Sequence, residues 1–364
     1  MLDRVIDGHN DLAWASRSLL GYDVDRLAGD VPSTQTDLPR LAIGGVGGQF
    51  WSVWVDPVLQ GAEQVVGTLE QIDFVHRLVD AHPGRFAFTR TAADVRAAMG
   101  EGRIASLIGI EGGDQIGGSL AVLRQYARLG ARYMTLTWSR TIGWADSATD
   151  DARHGGLSVF GREVVREMNR IGVVVDLAHV APNTMRHALR ETTRPVMVSH
   201  SGALALCDHP RNVPDDVLAA IGAQGGVVMV AFVPTFVSQA RRDWWVAGGE
   251  GDAPRVGVSD VADHLDHIRR VAGPHAVGIG ADFDGADPMP DGLGDVAGYP
   301  ALFAELRTRK WSEADLVALA HENVLRVLEA SDRDHESFLA GRAAPPTAAA
   351  LVPAVDASTR EGAL

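Results

Sequence analysis

Histidines and carboxylates in this 364-residue chain fall at the ends of short apolar runs. The first run ends in His9-x-Asp11, a spacing that places both side chains on one face of an extended strand. Glu111 ends a later run and is followed by two glycines, and His179 and His200 end two consecutive runs further along. Neutral imidazole and carboxylate are both good zinc ligands. These five residues therefore predict a metal site with two ions, which indicates a hydrolase.

Each of these residues also has an ordinary structural interpretation. A His-x-Asp pair taken alone is a weak signal, Glu111 also fits a salt bridge or a helix cap, and a single histidine at a strand end often has a purely structural hydrogen bond. The shared position at strand ends favours the metal site. Lys310 is the only lysine and lies in a polar helical segment. A carboxylated lysine therefore cannot bridge two ions, and Glu111 is placed to do so.

Two further side chains fit a hydrolytic reaction at such a site. Asp282 and Asp284 follow the last apolar run, and one carboxylate near metal-bound water would serve as general acid or base. Asp284 precedes a glycine and fits a turn better than Asp282 does. Arg211 lies in the loop after the sixth run, where its planar fork suits a substrate carboxylate. Pairing of Arg211 with Asp215 or Asp216 is an equally good interpretation.

Eight apolar runs, rich in β-branched residues, alternate with segments of helical periodicity such as 120–129 and 159–171. The runs span residues 3–8, 49–55, 104–110, 133–138, 173–178, 195–199, 226–233 and 276–281. Near-continuous apolar runs are typical of strands buried on both faces, and alternation with helices indicates a parallel sheet. Eight units predict an α/β fold of the (β/α)8 TIM-barrel type. We predict one catalytic domain over residues 1–341 and a loosely ordered C-terminal tail over residues 342–364.

Composition and charge narrow the choice of partners. The net charge of −14 argues against nucleic acid and against an anionic membrane surface. The single cysteine, Cys207, leaves no internal disulfide, and the N-terminus does not resemble a signal peptide. No run approaches the roughly 18 apolar residues of a membrane span. We therefore expect a cytoplasmic protein with a small-molecule substrate and without nucleic-acid or membrane partners, and a homodimer stays open.

Several segments together make the chain resemble a known family. They all hold a strand end or the loop that follows it, and they are Asp7–Asp11, Ile110–Gly112, Arg132–Thr137, Asp176–His179, Ser199–Ser201, Arg211–Asp215 and Gly280–Gly285. Over about residues 4–330 the chain resembles the membrane (renal-type) dipeptidases, a family of dinuclear zinc peptidases built on a βα-barrel.

The resemblance implies two zinc ions per chain. His9 and Asp11 would bind the first ion, and His179 and His200 would bind the second. Glu111 would bridge the two ions. In such a site the ions activate a bridging hydroxide that attacks the scissile amide of a dipeptide.

The resemblance also assigns roles to the substrate-facing residues, with one departure. Asp282 would be the acid/base residue and Arg211 the contact to the substrate carboxylate. After Thr137 the family usually has a histidine that contacts the substrate, and this chain has Trp138 there. An indole N–H cannot carry a positive charge, and loss of one such donor can lower the rate roughly 100- to 1,000-fold. Arg140, in the next loop, is the first candidate to replace it, and both Trp138 and Arg140 are predicted to contact the substrate.

The sequence thus predicts a dinuclear zinc hydrolase that cleaves the amide bond of dipeptides or dipeptide-like substrates. Two alternatives stay open. One is a related amidohydrolase for a modified dipeptide or another non-standard amide, whose pocket Trp138 would make more apolar. The other is a zinc-holding homologue without catalysis. Asp282 argues against this second alternative, because an inactive protein has no need of an acid/base group.

Overall fold

The structure is a computed structural model that describes residues 4–346. Its strands are Val5–Asn10 (β1), Val46–Trp54 (β2), Phe86–Phe88 (β3), Ile104–Glu111 (β4), Ala131–Thr135 (β5), Val174–Asp176 (β6), Met197–Ser201 (β7), Val227–Val230 (β8) and Val277–Ile279 (β9). Its α-helices are Leu12–Leu20 (α1), Leu38–Ile43 (α2), Ala62–Ala81 (α3), Ala92–Gly100 (α4), Leu120–Leu129 (α5), Val159–Ile171 (α6), Pro182–Glu191 (α7), Asp215–Ala223 (α8), Pro234–Val237 (α9), Gln239–Val246 (α10), Val258–Ala272 (α11), Tyr299–Thr308 (α12), Glu313–Val317 (α13) and Asn323–Leu339 (α14).

Eight of these strands close into a parallel barrel. The order around the ring is β1, β2, β4, β5, β6, β7, β8 and β9, and β9 pairs with β1 to complete it. This closure confirms the predicted (β/α)8 barrel. The remaining strand, β3, pairs only with the start of β4 and was not predicted from the sequence. Three residues are too few to show a period.

Each of the eight predicted runs overlaps one strand of the ring. The predicted helices over 120–129 and 159–171 coincide with α5 and α6. The main differences lie at the carboxyl ends of the strands. Residues 136–138 lie beyond β5 and residues 231–233 lie beyond β8, although both segments were predicted as strand. There the backbone leaves the sheet and forms the loops above the barrel.

Packed side chains fill the barrel. Neighbouring strands contribute inward-facing residues to one buried cluster, among them Ile6, Phe50, Leu107 and Met229. Gly8 permits this packing, because a Cβ atom there would lie 2.4 Å from the sulfur of Met229. A larger apolar cluster joins the outer faces of the strands to the surrounding helices. Both clusters hold the strand ends in place.

Asp7 ties the first strand to the last. Its Oδ1 accepts hydrogen bonds from the backbone N–H groups of Ala281 at 2.9 Å and His9 at 3.2 Å, and its Oδ2 accepts one from the Tyr299 hydroxyl at 2.7 Å. Burial raises the pKa of Asp7 to about 6. These bonds fix His9 relative to the loop that follows β9, which carries Asp282.

No helix within residues 4–346 is long and apolar enough to cross a membrane. The predicted loose tail over residues 342–364 lies mostly outside the described residues. Within its first part, Ala343 packs against the core, and the backbone oxygen of Ala344 accepts a hydrogen bond from Arg170 at 2.7 Å. The division at residue 341 stays a prediction.

Candidate metal centre and active site

The five predicted metal ligands meet at the carboxyl end of the barrel. His9 lies near the end of β1 and Asp11 directly follows it; Glu111 is the last residue of β4. His200 lies in β7, and His179 comes three residues after β6. All five side chains are buried. The strand ends therefore gather here side chains that are up to 191 positions apart in sequence, from His9 to His200.

Glu111 lies between the histidines and contacts each of them. Its Oε2 lies 3.3 Å from His9 Nε2, and its Oε1 lies 2.8 Å from His179 Nε2 and 3.5 Å from His200 Nε2. Asp11 Oδ2 lies 3.4 Å from His9 Nε2. Two groups of candidate ligands therefore share Glu111: one with His9 and Asp11, the other with His179 and His200.

The hydrogen bonds of His9 leave its Nε2 free for a cation. The Tyr133 hydroxyl donates to the backbone oxygen of Gly8 at 3.2 Å and lies 3.0 Å from His9 Nδ1. A hydroxyl has one hydrogen to donate, so His9 Nδ1–H is the donor to Tyr133 and Nε2 carries the lone pair. Gly109 makes room for Tyr133, because a Cβ atom there would lie 2.0 Å from the Tyr133 ring.

A second chain of hydrogen bonds orients His200. Ser199 Oγ donates to Asp176 Oδ2 at 2.6 Å and lies 2.8 Å from His200 Nδ1. His200 Nδ1–H is therefore the donor to Ser199, and the Nε2 lone pair faces Glu111. Asp176 also accepts a hydrogen bond from Thr135 at 2.5 Å. Such partners behind a ligand fix its tautomer and orientation.

We expect Tyr133→Phe to weaken zinc binding about 10- to 100-fold, because His9 loses the acceptor that fixes its tautomer. Competition with a chelator of known affinity measures this change. Tyr126→Phe is the matched control: Tyr126 is also buried, but its hydroxyl donates to the backbone of Gln115. Equal zinc affinity in both variants would show that Tyr133 does not position His9.

The chemistry of the five residues fits metal ions. Burial, together with the charge of Arg211, lowers the pKa of His179 to about 3, so its imidazole is neutral, the form that binds a metal. His179 Nε2 and His200 Nε2 are only 2.9 Å apart. His9 Nε2 is buried and has no hydrogen-bond partner within residues 4–346. Two buried carboxylates beside these nitrogens favour a bound cation, because buried negative charge needs compensating positive charge.

Asp282 lies at the same centre, three residues after β9. Its Oδ1 is 4.0 Å from His9 Nε2, and the Asp282 backbone has a φ of 69°, in the left-handed region that non-glycine residues seldom adopt. Burial, and next the charge of Asp11, raise the pKa of Asp282 well above its usual range. Gly285 lets the loop close over both carboxylates, because a Cβ atom there would lie 2.2 Å from Asp11 Oδ2.

Arg211 does not form the ion pair with Asp215 or Asp216 that was its alternative interpretation. Asp215 pairs with His267 at 2.7 Å, and Asp216 pairs with Arg186 at 2.8 Å. Both candidate partners of Arg211 are therefore engaged elsewhere.

Arg211 instead faces the metal centre. Its Nη2 donates to the backbone oxygen of His200 at 3.3 Å, and its buried Nη1 has no partner in the part of the chain that the structure describes. Burial lowers the pKa of Arg211 to about 10, so the guanidinium stays charged at neutral pH. A free, buried donor beside the cavity is suited to a carboxylate ligand.

An open cavity of about 450 Å³ lies above these residues, within the range of small-molecule sites. Seven predicted site residues line it: Asp11, Glu111, Trp138, His179, His200, Arg211 and Asp282. Arg140 is exposed and is not part of the cavity wall, so the structure does not bring this predicted substrate contact to the site. The loop after β5 lines the cavity at Ser139 and again at Thr149, and Arg140 lies in the part between them that does not.

Trp138 forms one wall together with two tryptophans that the sequence analysis did not assign. Its ring centroid lies 4.9 Å from that of Trp54, and Trp54 contacts Trp14 edge to face at 4.6 Å. The Trp138 ring is also 6.1 Å from His179. Two signals could have revealed the wall: Trp54 is the next-to-last residue of the predicted run 49–55, and Trp14 lies about one helical turn after Asp11.

A family model described as membrane dipeptidase (Peptidase family M19) matches residues 3–338. The chain belongs to the membrane dipeptidase family. Dipeptidase aclJ of Aspergillus oryzae is 43% identical over 334 residues, which cover 88% of this chain and 76% of that protein. An uncharacterized dipeptidase of Schizosaccharomyces pombe is 42% identical over 347 residues, covering 90% of this chain and 81% of the relative. The resemblance predicted from the motifs is confirmed.

A solved structure agrees with this membership. A metallo peptidase from Rhodobacter sphaeroides, crystallised with a phosphinate mimic of the dipeptide L-Ala-D-Ala, has a TM-score of 0.82 and 28% sequence identity to this chain. The match covers 91% of this chain and 100% of the other. The protein is therefore a peptide hydrolase of the dipeptidase type on a (β/α)8 barrel.

Proposed function

We propose that the protein hydrolyses the amide bond of a dipeptide or dipeptide-like substrate at a site that holds two zinc ions. His9 and Asp11 would bind one ion, His179 and His200 would bind the other, and Glu111 would bridge them. The bound ions would supply a hydroxide nucleophile at neutral pH and polarise the scissile carbonyl.

The observation that carries this proposal is the division of contacts at Glu111. One carboxylate oxygen lies near His9 and the other near His179 and His200. A carboxylate that served one ion only would not need both oxygens turned toward separate sets of nitrogens. Ser52 donates to Glu111 Oε2 at 3.0 Å and helps to hold this orientation.

The other residues of the cavity would position the substrate and move its proton. Arg211 would bind the C-terminal carboxylate through its buried Nη1, which has no hydrogen-bond partner within residues 4–346. Asp282 would accept the proton of the attacking water and pass it to the leaving amine, as a general base and then a general acid. The tryptophan wall would exclude bulk water from the scissile bond.

A modified dipeptide is the second candidate substrate, and the tryptophan wall favours it. Trp14, Trp54 and Trp138 give the cavity a large apolar surface on the side away from Arg211. Such a wall suits an apolar or bulky N-terminal group better than a small polar one.

A hydrolysis screen of zinc-loaded protein tests the proposed function. The panel pairs L,L- and L,D-dipeptides, because the Rhodobacter sphaeroides relative binds a mimic of an L,D-dipeptide. We expect release of free amino acids from at least one series, and acetylation of the N-terminus distinguishes dipeptide from general amide hydrolysis. Absence of hydrolysis across both series would refute dipeptide cleavage and leave the modified dipeptide as the substrate to test.

We expect two zinc ions per chain in the metal-loaded protein, because the candidate ligands form two groups that share Glu111. Elemental analysis after dialysis measures the ratio. Glu111→Gln should reduce the content of both ions, whereas His179→Ala should reduce one more than the other. A native ratio fixed at one would contradict the dinuclear site.

A further inference from the structure

A second chamber adjoins the active-site cavity. Its volume is about 480 Å³, and it shares four lining residues with the first cavity. The shared residues are His209, Val233, Gly285 and Ala286. The two cavities are therefore direct neighbours, and a long ligand group in the first would extend toward the second. A small dipeptide would occupy only the first cavity. The second chamber therefore offers space for a larger substrate group.

The far wall of this chamber comes from α10 and is held in place by polar contacts. Trp244 Nε1 donates to the backbone oxygen of Glu250 at 2.8 Å. Arg241 donates to the backbone oxygen of Pro254 at 2.9 Å, and its guanidinium carbon lies 5.1 Å from the centre of the Trp244 ring. Trp245 completes the wall and is 64% exposed. An exposed tryptophan beside an apolar chamber is a surface that a ligand would cover.

The position of the chamber indicates which end of the substrate reaches it. His209 lines both cavities, and its Nδ1 accepts a hydrogen bond from the backbone N–H of Arg211 at 3.1 Å. The chamber is therefore on the side of Arg211. The tryptophan wall is on the opposite side of the ring: Trp54 ends β2, and β2 and β7 are separated by three strands in either direction.

We propose that this chamber binds a large apolar side chain on the C-terminal residue of the substrate. The inference rests on the proposed function, because it takes Arg211 as the anchor of the C-terminal carboxylate. With the carboxylate at Arg211, the side chain of the same residue lies nearest to His209 and Val233, at the entrance to the chamber. The protein would then prefer dipeptides, including modified ones, with aromatic or similarly bulky C-terminal residues.

Steady-state kinetics on the zinc-loaded full chain tests this proposal. The substrates are Ala-Ala, Ala-Trp and Trp-Ala, each with both configurations of the C-terminal residue. The native protein should have a lower KM for Ala-Trp than for Ala-Ala, and Trp-Ala serves as the substrate whose bulky group would not enter the chamber. Trp245→Ala should raise KM for Ala-Trp about tenfold and leave kcat nearly unchanged, because the lost contacts are far from the reacting bond. Hydrolysis of Ala-Ala should change by less than about twofold.

Val246→Ala is the matched control, because Val246 is equally exposed at 66% and does not line the chamber. It should leave KM for Ala-Trp unchanged. If Trp245→Ala hydrolyses Ala-Trp with the same KM as the native protein, the proposal is wrong. Equal loss on all three substrates, with a changed molar mass in light scattering, would also overturn it and make Trp245 a subunit contact. Failure of the native protein on every substrate would instead count against the proposed function.

Discussion

Asp282→Asn is expected to bind as much zinc as the native protein and to lose about 100- to 10,000-fold in kcat, the usual range for a lost acid/base group. The substitution removes the proton carrier and little else. Asparagine tolerates the left-handed backbone that Asp282 adopts, and the Asp282 N–H can still donate to the backbone oxygen of His9 at 3.2 Å. Steady-state kinetics on the best dipeptide, together with zinc analysis of the same sample, measures both effects.

Asp284→Asn is the matched control for this experiment. Asp284 lies two residues away, lines the same cavity and also has a positive φ, of 64°. Its Oδ1 accepts the backbone N–H of Gln35 at 2.6 Å, and asparagine keeps that acceptor. We expect a far smaller loss of kcat there. Since Asp282 also falls in a group of candidate ligands with His9 and His200, loss of zinc from Asp282→Asn would make it a ligand rather than the proton carrier.

The barrel and the ligand set could be predicted from the sequence because their signals are local. Strands buried on both faces leave near-continuous apolar runs, and a ligand at a strand end directly follows such a run. His9, Glu111 and His200 all have that position. Eight runs then determine the number of strands, and the barrel geometry brings their ends together without any further information.

The hydrogen-bond partner behind His9 could not be predicted, because it comes from a strand that is distant in sequence. Tyr133 belongs to a motif that the sequence analysis singled out, but its contact with His9 joins residues 124 positions apart. That contact depends on the register of two strands and on the absence of a side chain at Gly109. No periodic pattern in the sequence encodes either condition.

The substrate-facing residues could be predicted only in part, because they lie in the loops above the barrel. Arg140 and Trp138 are two positions apart, yet only Trp138 lines the cavity. The chamber beside α10 was also not predicted, because its walls come from three separate segments of the chain, at residue 209, within 233–245 and at 285–288. Loop conformation depends on individual hydrogen bonds and turns, which residue type alone does not determine.

Trp138→His is expected to raise kcat/KM for ordinary dipeptides by about tenfold to a hundredfold. A histidine at this wall could donate to the developing oxyanion, and a donor of this kind is worth roughly 100- to 1,000-fold. The Trp138 ring lies 6.1 Å from His179 and borders the cavity, so the position is close to the metal centre. The loop should survive the change, because Ser147 holds it through the backbone oxygen of Trp138 at 2.7 Å.

Trp138→Phe distinguishes the effect of a new hydrogen-bond donor from the effect of a smaller side chain. Phenylalanine, like histidine, is smaller than the indole, but it has no polar hydrogen to donate. The test is steady-state kinetics of both variants and the native chain. The substrates are small dipeptides and a dipeptide with a bulky N-terminal residue. If donation matters, only the histidine variant gains on small dipeptides. Both variants lose affinity for the bulky substrate, since Trp14 and Trp54 alone cover it less well. If phenylalanine gains as much as histidine, Trp138 limits the reaction by its size. If the native protein is already fast and neither variant is faster, Trp138 is not needed for oxyanion stabilisation and serves only the fit of the substrate.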